Sequence, residues 1–213
     1  MKKFFYAIPL AVILFGSISA QSSSKTSNLN TSPAKGWTSA YTNLKGSFPR
    51  WEITNSKSDS LSQYVFHLLK TDAHGSEFNL CYTKKIKFLN GAISVKFKAD
   101  SGHEDQGGGI IYRVKDKNNY YVARYNPLED NLCFYYVKNS HRRVLKEETV
   151  ILEDKQWHTM KIVQHNAHYV VYLDSENIFQ GDDSTFTNAG GVGVWTKADA
   201  LTSFKDLKVI KED

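Results

Sequence analysis

From Gly36 onward, apolar residues recur at every second position rather than every third or fourth. The rhythm is clearest in 93-ISVKFKA-99, 109-GIIYRVK-115, 120-YYVARYN-126, 132-LCFYYVK-138, 158-HTMKIV-163, 168-HYVVYLD-174, 191-GVGVWTK-197 and 204-FKDLKVI-210. These runs are rich in Val, Ile, Tyr and Phe, which suit a pleated, half-buried surface. Clusters of turn residues divide them, at 116-DKNN-119, 126-NPLEDN-131, 138-KNSH-141, 164-QHNA-167 and 181-GDDS-184. No segment pairs a helical apolar stripe with caps. Many short strands at this spacing predict an all-β fold, a sandwich or a barrel.

The 109–126 segment predicts a hairpin with two distinct faces. Alternation places Ile110, Tyr112 and Val114 on one face of its first strand, and Ile111, Arg113 and Lys115 on the other. A two-residue turn at Lys117-Asn118 would then pair Val114 with Tyr121, Tyr112 with Ala123 and Ile110 with Tyr125. The apolar face suits the space between two sheets. The opposite face carries Arg113, Arg124 and Asn126 and is expected to be open, either as solvated surface or as the floor of a binding groove.

The N-terminus changes the setting. Lys2 and Lys3 precede an almost wholly apolar run from Phe4 to Phe15, followed by the small residues Gly16, Ser17, Ser19 and Ala20. This is the layout of a cleavable signal peptide over residues 1–20, too short to span a bilayer. It implies a secreted or periplasmic protein with no membrane span. Residues 21–35, mostly Ser, Thr, Asn and Lys, read as a flexible leader. The remainder, 36–213, is about 180 residues, the size of one domain able to bury a core of its own. The net charge of +5 falls to +3 without Lys2 and Lys3, and the remaining basic residues interleave with acidic ones. Nucleic-acid binding needs clustered cations on one face, so that partner is not expected. Cys81 and Cys133 are the only cysteines. An oxidising compartment would let them pair, whereas their apolar surroundings, NLCY and NLCFYYV, suit buried free thiols.

Few chemical motifs survive scrutiny. Gly107–Gly109 and Gly190–Gly193 precede no helix and lack the Lys-Ser/Thr of a phosphate loop, so they read as strand glycines. The histidines at 67, 74, 103, 141, 158, 165 and 168 show no zinc spacing. No cofactor is expected, although acidic turns containing Glu129 and Asp130, or Asp182 and Asp183, could supply oxygens to a structural calcium. No Ser-His-Asp or Cys-His order stands out. What remains is a polar set: Asp105, Gln106, Arg113, Asn119, Arg124, Asn126, Glu129, Asp130, Asn131, Lys197 and Asp199. These residues either brace loops or line a cleft for sugar hydroxyls, with Trp195 and tyrosines such as Tyr112 offering flat faces to a pyranose.

The string 105-DQGGGIIYRVKDKNNYYVARYNPLEDN-131, with Arg143, 157-WH-158, 172-YLD-174 and 190-GGVGVWTKADA-200, resembles a group of bacterial secreted proteins. They belong to the concanavalin A-like lectin/glucanase superfamily and are filed with the 3-keto-disaccharide hydrolase domain family, or loosely with glycoside hydrolase family 16. The resemblance runs from about Trp51 to Val209 and implies a jelly roll that meets a saccharide or polysaccharide. It departs from family 16 at one decisive point, because the Glu-x-Asp-x-x-Glu strand motif is absent and with it the carboxylate pair of that mechanism. At 174-DSEN-177 a Ser stands where relatives usually place Gly. If the chain is hydrolytic, the resemblance implies cleavage of a 3-keto-glycoside, whose ketone acidifies the neighbouring C–H. One base then suffices, Glu129 or Asp130, with Arg113, Arg124 or Lys197 as electrophilic partner. Gln106, Tyr112, Asn119, Asn126, Asn131, Trp195 and Asp199 would bind the ligand. The alternative is a non-catalytic glycan- or protein-binding module of the lectin or laminin G type.

Overall fold

The computed structural model describes residues 34–55, 64–153 and 155–212. The expected signal peptide, and the leader as far as residue 33, lie outside the described residues. Every regular element among those described is a strand: β1 (Thr38–Thr42), β2 (Arg50–Asn55), β3 (Tyr64–Lys70), β4 (Phe78–Phe88), β5 (Gly91–Ser101), β6 (Gly108–Asp116), β7 (Asn119–Asn126), β8 (Asn131–Lys138), β9 (His141–Thr149), β10 (His158–His165), β11 (His168–Leu173), β12 (Glu176–Asp182), β13 (Gly190–Lys197) and β14 (Leu201–Lys211). All pairings are antiparallel. The first sheet runs β1-β4-β13-β6-β7-β8-β9 and the second β12-β11-β10-β5-β14-β3-β2. This is the all-β, two-sheet antiparallel jelly-roll sandwich that the family resemblance implies, and the two-residue rhythm is consistent with it.

The rhythm works because each inward position meets its counterpart on the other sheet. Ile93, Val95 and Phe97 of β5 and Met160 and Ile162 of β10 face Tyr112 of β6, Tyr121, Ala123 and Tyr125 of β7, and Leu132 and Phe134 of β8. Aromatic rings dominate this core. Tyr121 stacks on Tyr112 at 5.3 Å and on Phe134 at 5.7 Å, and Phe134 meets Tyr169 of the second sheet at 4.1 Å.

A second apolar cluster lies on the other face of the first sheet: Ala40, Phe78, Leu80, Tyr82, Ile111, Val114, Tyr120, Val122, Cys133, Tyr135, Val137 and Trp195. That face was expected to be open. Instead the sheet curls over it. Thr42, at the end of edge strand β1, meets the Tyr120 hydroxyl at 2.9 Å and donates to the Lys117 carbonyl at 2.5 Å. Asn43 Nδ2 donates to the Ser140 carbonyl at 2.9 Å, and Arg142 of β9 lies over the rings of Tyr135 and Phe78. Thus β9 at one edge reaches β4 near the other, and the enclosed face fills with its own rings. Cys81 belongs to the inter-sheet core and Cys133 to this outer cluster. The two thiols therefore face opposite sides of the sheet and are free.

The hairpin register also differs from the expected one. The turn is indeed at Lys117-Asn118, and Asp116 pairs with Asn119. Beyond it β6 bulges, so that Tyr112 pairs with Tyr121 and Ile110 with Ala123. The bulge centres on Arg113, whose φ is +47°. It moves Val114 out of the inter-sheet core and onto the outer face with Ile111. Gly109 permits the close β6–β7 approach, since a Cβ there would lie 1.8 Å from the Ala123 carbonyl oxygen.

Candidate functional site

Alternation along β7, β8 and β13 gives the outer face of the first sheet an apolar part and a charged end. Tyr120 and Val122 are followed on that face by Arg124 and Asn126, Cys133 is preceded by Asn131, and Trp195 is followed by Lys197. The loop 102–107 and the turn 127–130 close over this end. Asp199 accepts the backbone N–H groups of His103 (2.7 Å), Glu104 (3.0 Å) and Asp105 (2.9 Å), which pins the first of them. The Asn126 side-chain oxygen accepts the Leu128 N–H at 3.0 Å and shapes the second.

The charged groups interlock. Arg124, 4% exposed, donates to Glu129 Oε2 and to Asn131 Oδ1, both at 2.7 Å. Asn131 Nδ2 donates in turn to Glu147 of β9 at 2.6 Å. Lys197 donates to the buried Asp105 at 2.5 Å. Glu129 and Glu147 are exposed, so the network runs from a buried guanidinium to carboxylates at the surface. Burial pushes the Asp105 carboxyl above its ordinary value, against the pull of Lys197 and Arg124. Glu129 shows the opposite balance: desolvation opposes its charge, but the Arg124 bond and charge hold it below the ordinary value. Asp199 is likewise held low, the backbone N–H groups of His103, Asp105 and Glu104 overcoming its desolvation. Three buried donors in this region have no protein partner: Arg124 Nε, Asn126 Nδ2 and the Tyr135 hydroxyl.

Of the residues singled out from the sequence, Arg124, Glu129, Asn131 and Lys197 converge here, with Asn126 and Asp199 fixing the surrounding loops. Gln106 is half-buried beside Asp105. Asp130 adjoins Glu129 but is exposed at φ +47°, and its carbonyl accepts the Val150 N–H at 2.8 Å. The open face expected for Arg113, Arg124 and Asn126 is corrected: all three are buried, at 2%, 4% and 0% exposure. Arg113 is absent from this network because its bulge turns the side chain to the far end of the sandwich. Asn119 is at that end too, bonded to Asp116 and to the Asn139 N–H. Tyr112 and Trp195 offer no face to a sugar, being wholly buried. The Tyr112 hydroxyl donates to Gln164 at 2.6 Å across the core, and Trp195 Nε1 donates to Tyr120 at 3.2 Å. Glu147 and Tyr135 were not foreseen. Glu147 lies in 146-KEET-149, where a charged edge strand hides which carboxylate faces inward.

The carboxylates of the acidic turns are engaged within the protein. Asp183 accepts from the Tyr121 hydroxyl and the Thr185 N–H, Asp182 meets His168, and Glu129 belongs to Arg124. Among the described residues no group of three or more His, Cys, Asp or Glu converges on one point.

The family described as the 3-keto-alpha-glucoside-1,2-lyase-like domain matches residues 26–210. No curated protein matches the chain in sequence. Among solved structures, the carbohydrate-binding module CBM66 from Bacillus subtilis superposes with a TM-score of 0.59 at 18% identity, over 74% of this chain and 92% of that one. A Bacillus subtilis protein with a galectin-like fold gives 0.54 at 12% identity, over 81% and 88%. The Bacillus licheniformis β-glucanase gives 0.50 at 12% identity, over 82% and 98%. These likenesses show a shared jelly-roll, concanavalin A-like fold.

Proposed function

The chain belongs to the 3-keto-alpha-glucoside-1,2-lyase-like domain family, and from that premise we propose that this carbohydrate-related jelly roll cleaves a glycoside oxidised at C3, using the charged end of its first sheet. The observation that carries the reading is the 2.7 Å pair between exposed Glu129 and buried Arg124, with the Lys197–Asp105 pair beside it. A ketone at C3 makes the C2 hydrogen acidic, so a single carboxylate can begin the reaction. Glu129 is ionised and accessible, and it takes the C2 proton. The electrons pass onto the C3 oxygen as an enolate, where Arg124 or Lys197 supplies positive charge. The enolate then collapses, C1=C2 forms, and the C1–O bond breaks. The departing oxygen receives a proton, returned by Glu129 directly or through solvent, and leaves as the free alcohol or sugar with Glu129 ionised again. This chemistry requires no second carboxylate on one strand, consistent with the missing glucanase motif.

A non-catalytic reading has one observation in its favour: the likeness in fold to the carbohydrate-binding module CBM66. The two readings separate on methyl 3-keto-α-glucoside. The catalytic reading expects methanol release by the native chain, and a fall of at least about 100-fold in Glu129→Gln at unchanged thermal midpoint. Saturable binding of the glycoside without methanol release would leave only the binding module. Export belongs to the same proposal, since residues 1–20 have the layout of a signal peptide; N-terminal sequencing of the protein from its native compartment should begin at Gln21.

A further inference from the structure

At the opposite end of β7, seven residues and roughly 23 Å from Asn126 at about 3.3 Å per residue, lies a depression of different character. It encloses about 480 Å³ between the ends of β4, β6 and β8 and the segment 185–190. Lys87, Lys115 and Lys138 stand on its walls with Arg113, and no Asp or Glu lines it. Threonines and asparagines, among them Thr185, Thr187 and Asn188, share the rest of the lining with Val114, Phe186, Ala189 and Gly190. Asp116 and Asp183 do not line it: Asp116 Oδ1 accepts the Asn118 N–H and Asn119 Nδ2, and Asp183 Oδ1 accepts from Tyr121 and Thr185.

Arg113 is the unusual member. Its side chain is buried, yet every acceptor it meets is neutral. Nε and Nη2 donate to the Leu89 carbonyl at 3.1 and 2.8 Å, Nη1 to Phe186 O at 2.7 Å, and Nη2 also to Asn166 O at 2.8 Å and Asn90 Oδ1 at 3.4 Å. These carbonyls satisfy donors but not the full charge, and buried charges ordinarily find a counter-ion. Burial correspondingly pulls the guanidinium below its ordinary value. The position is also held in place at a cost, because Arg113 sits at φ +47° on its bulge. Gly190 makes room for that backbone: a Cβ there would lie 2.3 Å from the Arg113 carbonyl carbon. A purely structural clamp between the sheets would not require three further lysines around the same hollow.

We propose that this depression is a binding site for an oxyanion, carried as the carboxylate or sulfate substituent of an acidic saccharide. Its volume falls in the range of small-molecule sites and exceeds what a lone ion fills. The lysines on the walls capture the charged substituent, Arg113 adds positive charge from the floor, and the threonines and asparagines are placed for hydroxyls. The proposal is independent of the lyase reading, since no residue is shared with the Glu129 network.

Calorimetric titration at low ionic strength tests it, with D-glucuronate, glucose 6-sulfate, inorganic phosphate and glucose as probes. The expected result is saturable binding of the two charged sugars and none of glucose. The exposed pair Lys115→Gln/Lys138→Gln should weaken that binding by about tenfold or more at unchanged thermal midpoint, while Glu129→Gln should leave it intact. Phosphate binding as tight as that of the charged sugars would keep the oxyanion site but assign it to the free ion. No saturable binding of any anion, or binding indifferent to the double substitution, would overturn the proposal.

Discussion

Single residues in this protein are strained or paired for identifiable reasons. Lys197 and Asp105 are mostly withdrawn from water, at 14% and 2% side-chain exposure. Removing one partner of such a pair leaves a buried charge uncompensated, so Lys197→Met should lower stability by about 3 kcal/mol in urea denaturation. Adding Asp105→Asn should recover most of that loss. The carboxyl groups also set an acid limb. Glu129 and Asp199 titrate in the folded state below their ordinary values of 4.5 and 3.8. Their contribution is present above those values and lost as pH falls through the lowered folded ones. Asp105 runs the other way, favouring the folded state most when protonated below 3.8 and less as pH rises through its raised value. Asp199→Asn should therefore flatten the decline in thermal midpoint below pH 4. At the β11–β12 turn, Asp174 and Ser175 adopt φ of +48° and +74°. Glycine adopts this left-handed backbone without the Cβ penalty, and Ser175→Gly should raise stability by about 1 kcal/mol.

At the scale of elements, strands were legible wherever one face was apolar and the other polar. β5, β10 and β11 alternate as their sequences say. β4 escaped notice because six consecutive residues, Phe78–Thr83, are buried on both faces and so break the two-residue rhythm. β9 escaped because it is a charged, largely exposed edge, which protects against pairing with other chains but carries little apolar signal. The β6 bulge was illegible for a different reason. Nothing in IIYRVKD announces an inserted kink, and periodicity carries a strand straight through it. That kink decides where Arg113 points, and hence separates it from Arg124. Backbone closeness gives this region a direct check. Gly109→Ala would drive a methyl against the Ala123 carbonyl and should destabilise the fold by several kcal/mol or prevent it from forming.

The whole molecule explains why the site was only half visible. Sequence alternation places Arg124, Asn131 and Lys197 on one face, and that grouping survives in three dimensions. It does not reveal that the first sheet curls until β9 meets β4, and this curl buries Trp195, Tyr135 and Arg124. A face that looks open strand by strand closes only at the scale of the sheet. The same architecture sets the two thiols on opposite sides of that sheet, and burial pushes Cys133 up to about 11 and Cys81 higher still. A thiol reagent should accordingly find no reactive cysteine in the native protein and two after denaturation. The central claim, that the charged end beside Glu129 eliminates across C1 and C2 of a 3-keto-glycoside, is tested most directly by proton NMR of the reaction in D₂O. The account predicts enzyme-dependent loss of the C2 proton in step with release of the alcohol, both absent in Glu129→Gln. Alcohol release with the C2 proton retained, or an equally active Glu129→Gln, would contradict it.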